Sequence, residues 1–125
     1  GLIVAVVEDD PRSGALIHEE ICDGGHGCKR FRTAEAFLND VEQLKPDLIL
    51  LDLMLPGMDG LNCLRTFRQM PGSQQCPVVI VTALNDAAKR RESRELGAID
   101  YILKPDVFDE LPQLLATLSR KSTES

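Results

Sequence analysis

Polar side chains of different kinds follow the apolar runs of this sequence, each at the point where a run ends. Glu8 and Asp9 come directly after the first run, and Asp52 follows another. Thr82 ends a third run, and Lys104 ends a fourth. Apolar runs this short, bounded by turn residues, are typical of strands buried on both faces of a parallel sheet. Because the carboxyl ends of parallel strands share one edge, we expect these side chains to converge there.

Three carboxylates at one edge repel each other unless a cation compensates them. Mg²⁺ is the economical candidate, because it prefers oxygen ligands and is commonly held by one or two carboxylates, several waters and a phosphate. We expect Asp9 and Asp52 to bind the ion directly and Glu8 to bind it through water. The main-chain carbonyl of Met54, on the loop just beyond Asp52, is expected to complete the ligand set.

The same side chains supply what phosphoryl transfer requires, namely a nucleophile, a metal ion and donors for the phosphoryl oxygens. Asp52 is the candidate nucleophile. The compact ammonium of Lys104 suits one phosphoryl oxygen, and the hydroxyl of Thr82 suits another. The pattern therefore indicates a site at which Asp52 takes up a phosphoryl group.

Strand-like and helix-like segments alternate five times, which predicts an α/β fold with a doubly wound five-stranded parallel sheet and helices on both faces. The second strand, at 28–32, is short and basic and therefore belongs at an exposed edge. With the apolar strands at the centre, we expect strand order 2-1-3-4-5, the flavodoxin-like order. Asp10 and Thr33 are expected to cap the first two helices. Pro112 is expected in the first turn of the last helix.

The composition describes one acidic domain. The chain has 125 residues, a formal net charge of −6 and 43% hydrophobic residues. This charge argues against direct nucleic-acid binding by the domain, and no apolar run reaches the length of a membrane span. The four cysteines lack the spacing of a zinc site, and we interpret them as free thiols of a cytoplasmic protein, with a disulfide as the alternative. The domain is expected to cover 1–118, and 119–125 is expected to be a polar tail or the start of a linker.

The sequence resembles the receiver domains of response regulators in two-component, His-Asp phosphorelay signalling. The resemblance covers essentially the whole chain and rests on four motifs in the family's order and spacing. The motifs are Val7-Glu8-Asp9-Asp10, Leu51 to Gly60, Val81-Thr82-Ala83, and Gly97 to Pro105. It implies a phosphoacceptor signalling domain rather than an enzyme, although such a domain assists its own phosphorylation and dephosphorylation.

The resemblance also assigns roles at the site. It implies that Asp52 accepts a phosphoryl group from the phosphohistidine of a sensor histidine kinase or a phosphotransfer protein, with Mg²⁺ at the acidic residues named above. Phosphoryl contacts are implied for Thr82, for the backbone N–H of Ala83 and for Lys104. A cis peptide bond is implied between Lys104 and Pro105.

A switch is implied as well. On phosphorylation Thr82 moves toward the phosphoryl group and Tyr101 turns inward, which changes the partner affinity of the face formed by the fourth helix, fifth strand and fifth helix. The partner is an unknown output domain or protein, and a phosphorylation-dependent dimer is one possible outcome. The alternative for Tyr101 is a half-exposed aromatic on an edge strand. Met54 and Leu84 occupy the positions that control water access to the phosphoryl group in receivers, and both are bulky and apolar.

The chain departs from the family's pattern in two places. Receivers usually have an aromatic residue directly after the Lys-Pro pair, whereas Asp106 and Val107 intervene here before Phe108. The loop into the last helix is therefore expected to be shifted. The fourth helix is poor in large apolar residues, and its middle, at 89–94, consists of charged residues and Ser93. This indicates either a solvated helix that rests on few contacts or a mobile switch element.

Three other functions fit parts of the pattern. A Mg²⁺-dependent phosphatase of the haloacid-dehalogenase type also uses an Asp nucleophile, but it needs a second Asp two residues later, where Met54 stands. A flavin-binding module needs a phosphate loop after the first strand, and Glu8, Asp9 and Asp10 would repel a phosphate there. A receiver-like scaffold that is not phosphorylated is the third alternative, and the intact acidic set disfavours it.

Overall fold

The chain alternates five strands with five helices over residues 1–124, which a computed structural model describes, with the backbone alone for 122–124. The strands are β1 (Ile3–Val7), β2 (Gly27–Phe31), β3 (Leu48–Leu51), β4 (Val78–Thr82) and β5 (Asp100–Leu103). The helices are α1 (Pro11–Asp23), α2 (Ala34–Leu44), α3 (Gly60–Arg68), α4 (Ala87–Glu95) and α5 (Val107–Glu124). Two 3-10 turns, Ser73–Gln75 and Lys104–Asp106, precede β4 and α5.

The five strands form one parallel sheet in the order β2-β1-β3-β4-β5. Every residue of β3 and of β4 is buried, as expected for central strands covered on both faces. The edge strand β2 instead exposes Lys29 and Arg30, whose charges discourage pairing with another chain. The predicted flavodoxin-like order is therefore confirmed, and β2 begins one residue earlier than predicted.

Two apolar cores lie on opposite faces of the sheet. Because successive strand residues point to opposite faces, Leu50 packs in the core beneath α1 and α5, and Leu51 packs in the core beneath α2 and α3. Phe37 of α2 links the second core through ring contacts with Phe31 and Phe67, at centroid distances of 5.7 Å each. This double layer of helices holds the strand ends, and hence the polar side chains that follow them, in fixed relative positions.

The helix starts follow their capping residues. Asp10 accepts hydrogen bonds from the N–H groups of Arg12 and Ser13 at the start of α1, and Thr33 accepts one from Ala36 at the start of α2. Both predicted caps are confirmed. Helix α4 begins at Ala87, and Asp86 caps it by accepting a hydrogen bond from the N–H of Lys89.

The entry to α5 corrects two predictions. Lys104–Asp106 form a 3-10 turn that leads into α5, and the peptide bond between Lys104 and Pro105 is trans, so the implied cis bond is wrong. Helix α5 begins at Val107, which is buried. Pro112 is therefore its sixth residue and lies beyond the first turn, where it was not predicted. Only the first four N–H groups of a helix lack an intrahelical acceptor, so the sixth residue would normally donate to the carbonyl four residues earlier. Pro112 has no N–H, and the hydrogen bond to the carbonyl of Phe108 is therefore missing.

Helix α5 also extends through most of the segment predicted as a polar tail, since it continues to Glu124. Ser125 lies outside the described residues, and the domain boundary at residue 118 stays a prediction. None of the helices in residues 1–124 combines the length and the apolar content that crossing a bilayer requires.

The cysteines are free thiols, as interpreted from the sequence. Burial raises the pKa of Cys63 to about 12 and the pKa of Cys28 and Cys76 to about 11 each. These three thiols therefore stay protonated at neutral pH and pack as small apolar groups.

Candidate functional site

The candidate site lies at the carboxyl edge of the sheet, where the backbone hydrogen bonds of the strands continue one residue beyond their ends. The N–H of Glu8 donates to the carbonyl of Phe31 at 2.9 Å, and the N–H of Asp52 donates to the carbonyl of Val7 at 3.0 Å. Both acids are therefore anchored by the sheet itself. Their residues are almost fully buried, at 7% and 4% exposure.

Lys104 joins the two buried acids. Its Nζ lies 2.8 Å from Oε1 of Glu8 and 3.0 Å from Oδ2 of Asp52. We assigned Lys104 to a phosphoryl oxygen and the compensating charge to a metal ion. The ammonium itself provides part of that compensation, which the spacing of residues along the chain did not reveal.

The pKa values of Glu8 and Lys104 are shifted both by burial and by neighbouring charges. Burial raises the pKa of Glu8, and this outweighs the lowering by Lys104 and by the hydrogen bond from the Asp10 N–H. Burial acts to lower the pKa of Lys104, but hydrogen bonds and charges from Glu8 and Asp52 outweigh it, so that its pKa is raised. Lys104 is therefore held in its charged form across the physiological pH range.

The loop after Asp52 is held tightly. Oδ1 of Asp52 accepts a hydrogen bond from the N–H of Met54 at 3.0 Å, which orients the carboxylate. A Cβ at Gly60 would lie 2.2 Å from the Asp52 carbonyl oxygen, so only glycine permits α3 to begin this close to the loop. From α2, Glu35 accepts the N–H of Met58 at 3.2 Å. The role of Glu35 was not predicted, because its sequence position carries no motif.

Asp9 differs from its neighbours. It is half-buried, and within the part of the chain that the structure describes its carboxylate has no hydrogen bond or ion pair. Glu8, Asp9 and Asp52 thus carry three negative charges against the one positive charge of Lys104. A site of oxygen donors with excess negative charge fits a hard divalent cation. In the described residues no group of three His, Cys, Asp or Glu side chains is arranged to hold a metal ion. Mg²⁺ commonly takes only one or two carboxylates and several waters from its surroundings.

The other side of the site is formed by the end of β4 and the loop that follows. Thr82 is fully buried and pairs with Leu103, the residue before Lys104. Its Oγ1 accepts a hydrogen bond from the N–H of Leu84 at 3.3 Å. Ala83 is exposed and Leu84 is half-buried. The strand-end residues predicted from the sequence are therefore brought to one edge.

Tyr101 is buried rather than half-exposed, with 8% of its surface accessible. Its hydroxyl donates to the carbonyl of Leu84, on the loop after Thr82. The guanidinium of Arg90 lies over the ring, 4.4 Å from the centroid, and its Nη1 donates to the Tyr101 carbonyl at 3.4 Å. The Arg90 contact was not predicted, because the two residues lie on different elements and share no periodicity.

Comparison with known proteins gives the same picture over most of the chain. The family model for the response regulator receiver domain matches residues 4–116. The transcriptional regulatory protein BaeR of Escherichia coli is 36% identical over 118 residues, which are 94% of this chain and 48% of BaeR. The BeF3-activated receiver domain of RstA from Klebsiella pneumoniae is 36% identical with a TM-score of 0.78, covering 93% of this chain and 97% of that domain.

A metal-bound structure is also similar. The Mn²⁺-bound form of response regulator Rcp1 is 27% identical with a TM-score of 0.78, covering 91% of this chain and 88% of that one. The chain spans about half the length of transcriptional regulators such as BaeR. The similarity therefore concerns one domain of those proteins.

Proposed function

Because the chain belongs to the family of response regulator receiver domains, we propose that Asp52 is the residue that accepts the phosphoryl group and that Mg²⁺ assists the transfer. Receiver domains are the phosphorylated signalling switches of two-component systems rather than classical enzymes. The observation that carries the assignment is the buried Asp52 carboxylate, anchored by the sheet and paired with Lys104 at 3.0 Å. Its other carboxylate oxygen accepts the N–H of Met54, so both oxygens of Asp52 are held in place.

The chemistry is an in-line displacement at phosphorus. A carboxylate oxygen of Asp52 forms a new bond to phosphorus, and the bond from phosphorus to the imidazole nitrogen of a phosphohistidine breaks. The negative charge of the phosphoryl oxygens is met by the ammonium of Lys104, the hydroxyl of Thr82 and the N–H of Ala83. The phosphohistidine belongs to a sensor histidine kinase or a phosphotransfer protein.

Mg²⁺ is proposed to bind Asp9 and Asp52 directly, Glu8 through water, and the main-chain carbonyl of Met54. When bound, the ion supplies positive charge for the transferred phosphoryl group. The support is the excess negative charge of the oxygen donors and the similarity to a receiver described as Mn²⁺-bound. The free carboxylate of Asp9 is the group that such an ion would use without breaking a native contact.

The switch is proposed to use Thr82 and Tyr101. In the described conformation Tyr101 reaches the loop after Thr82 through the Leu84 carbonyl, so the two residues are linked through one short segment. Tyr101 is already inward in this conformation, so engagement of Thr82 by a phosphoryl group would stabilise this arrangement of the segment and of the face formed by α4, β5 and α5 over an arrangement with the ring outward. The face is proposed to contact an output domain or protein in the cytoplasm, and it is a candidate surface for a phosphorylation-dependent dimer.

Phosphorylation of Asp52 can be tested directly. Incubation with a small acyl-phosphate donor and Mg²⁺ should add the mass of one phosphoryl group to the wild type and none to Asp52→Asn. Asp59→Asn is the matched control, because Asp59 lies on the same loop and Asn is an equally good cap for α3. Wild type without a mass gain would favour the receiver-like scaffold, and a gain that persists in Asp52→Asn would place the phosphoryl group elsewhere.

The lifetime of the phosphorylated state is proposed to depend on Met54 and Leu84. Hydrolysis needs a water in line behind phosphorus, and neither side chain can orient one. Met54 lies two residues after Asp52 and is 59% exposed, which supports the proposal that it stands at the mouth of the site. We expect the double variant Met54→Asn with Leu84→Glu to lose its phosphoryl group about tenfold faster, a barrier change of about 1.4 kcal/mol.

The measurement is the decay of phosphorylated protein after the donor is removed. Ile99→Asn is a suitable control, because Ile99 is similarly exposed and directly precedes β5, at the edge opposite the site. Equal decay rates in the double variant and the wild type would show that these side chains do not govern water access.

A further inference from the structure

Arg90 is the only residue of α4 with described contacts to Tyr101. Its guanidinium stacks on the ring at 4.4 Å from the centroid, and Nη1 also donates to the Tyr101 carbonyl at 3.4 Å. The planar guanidinium therefore stacks on the ring and donates to the backbone of the same residue, and an ammonium cannot make both contacts with this geometry. Tyr101 also belongs to the buried apolar core, and its hydroxyl donates to the Leu84 carbonyl.

Helix α4 has few other attachments. Its only fully buried residue is Ser93, and Arg65 of α3 pairs with Glu92 at an exposed position, 3.1 Å apart. An exposed ion pair of this kind contributes little to stability. The contact between Arg90 and Tyr101 is therefore a principal connection between α4 and β5.

We propose that Arg90 is a positioning residue that holds Tyr101 in its buried orientation, so that the position of α4 and the orientation of the tyrosine form a single equilibrium. Losing the stack frees both the helix and the ring, and any change that displaces α4 favours the outward-turned ring. The role in switching rests on the proposed function, whereas the positioning itself does not. Through Arg90, the charged helix α4 would influence the orientation of Tyr101 in the switch.

Fluorescence isolates this residue, because the chain has one tyrosine and no tryptophan. Quenching of tyrosine emission by acrylamide, a neutral molecule unaffected by protein charge, measures how accessible the ring of Tyr101 is. In Arg90→Ala we expect about a threefold fall in the ratio of buried to outward-turned rings, the effect of a partly exposed cation–π contact, and a larger quenching constant. Arg90→Lys should fall between Arg90→Ala and the wild type.

Arg91→Ala is the matched control, since Arg91 is the next residue of α4, is exposed and has no described partner. It should quench like the wild type. Circular dichroism should show that all variants keep their helix content. Equal quenching of Arg90→Ala and the wild type would overturn the proposal.

Titration of the phenol separates positioning from a simple charge effect. Burial and the carboxylates of Asp86 and Asp52 raise the pKa of Tyr101, whereas the charge of Arg90 and a backbone hydrogen bond lower it. If Arg90 supplied only charge, its removal would raise the pKa further. If it holds the ring inside, its removal exposes the phenol and the pKa falls toward its ordinary value, which is the result we expect.

Neither measurement uses a phosphoryl donor. A failure of Asp52 to accept a phosphoryl group would therefore leave both results readable. A rise in the phenol pKa with unchanged quenching would overturn the positioning role even in a domain that is phosphorylated normally.

Discussion

Replacing Lys104 with Met should lower the free energy of unfolding by about 2 to 3 kcal/mol at neutral pH. Removing one partner of a buried ion pair typically costs about 3 to 5 kcal/mol, because the other charge stays buried without compensation. We expect less here because the Lys104 side chain is 23% exposed, so water already screens part of the interaction. Glu8 and Asp52, each with a side chain 4% exposed, are the charges left behind.

The loss should depend on pH in a defined direction. The pKa of Glu8 is raised from its ordinary value of 4.5 by burial, and Lys104 opposes that rise. In Lys104→Met the pKa of folded Glu8 therefore rises further, and the folded state gains stability by binding a proton. The deficit relative to the wild type should be small near pH 4.5 and should grow as pH rises through the pKa of folded Glu8. In the wild type the stability from the pairing of Lys104 with Glu8 is present from above the pKa of folded Glu8 up to 10.5, the ordinary pKa of Lys104, and is lost as pH rises further through the raised pKa of folded Lys104.

Chemical denaturation at a series of pH values measures this profile. Lys89→Met is the control, because Lys89 is exposed on α4 and its side chain has no described partner. A deficit for Lys104→Met that stays constant from pH 4.5 to neutrality would contradict the pairing with Glu8. The changes in the amide NMR chemical shifts of α4 and β5 on addition of a phosphoryl mimic give a second readout. We expect these changes to be much smaller in Lys104→Met than in the wild type.

The fold could be predicted because each strand carries its signal locally. The runs at 48–51 and 78–82 are apolar at nearly every position, which only central strands of a covered sheet tolerate. The edge placement of the second strand followed from its basic residues Lys29, Arg30 and Arg32, and the structure exposes Lys29 and Arg30 on β2. Since the ends of parallel strands meet at one edge, the residues after them could be named as a site before any contact was known.

Contacts that depend on side-chain reach could not be predicted. Lys104 lies far along the chain from Glu8. A difference of about an ångström decides whether its ammonium contacts a carboxylate in the unphosphorylated domain, and the spacing of residues in the sequence cannot predict distances that finely. The stack of Arg90 on Tyr101 could not be predicted for the same reason, because it also depends on how far a long side chain reaches. The start of α5 was misplaced because Pro112 was interpreted from its own preference, whereas the burial of Val107 decides where the helix begins.

Asp9→Ala should abolish Mg²⁺ binding and phosphoryl uptake while leaving the fold intact. The Asp9 carboxylate makes no described contact, so its removal breaks no native interaction. It also removes one of three negative charges beside Lys104, which relieves repulsion in the metal-free protein. We therefore expect unchanged or slightly higher stability without Mg²⁺. Wild type at ten times the Kd for Mg²⁺ should gain about 1.4 kcal/mol, and Asp9→Ala should gain nothing.

Asp10→Ala should give the opposite result at the neighbouring position. Asp10 caps α1, and its pKa is lowered chiefly by the hydrogen bond from the Ser13 side chain. A lowered pKa means that this stability is present above the ordinary value of 3.8 and is lost as pH falls through the pKa of the folded state. The variant should therefore unfold more easily at neutral pH but still bind Mg²⁺ and take up a phosphoryl group.

Thermal unfolding with and without Mg²⁺, and intact mass after exposure to an acyl-phosphate donor, distinguish the two aspartates. The metal assignment requires that Asp9→Ala lose the Mg²⁺-dependent stabilisation and the mass gain together while Asp10→Ala keeps both. Phosphorylation of Asp9→Ala at the wild-type rate would refute the assignment of Asp9, because the excess charge of the site would then be serving another purpose. Loss of phosphorylation with normal Mg²⁺-dependent stabilisation would instead place Asp9 in the transfer step and leave the ion to Glu8 and Asp52.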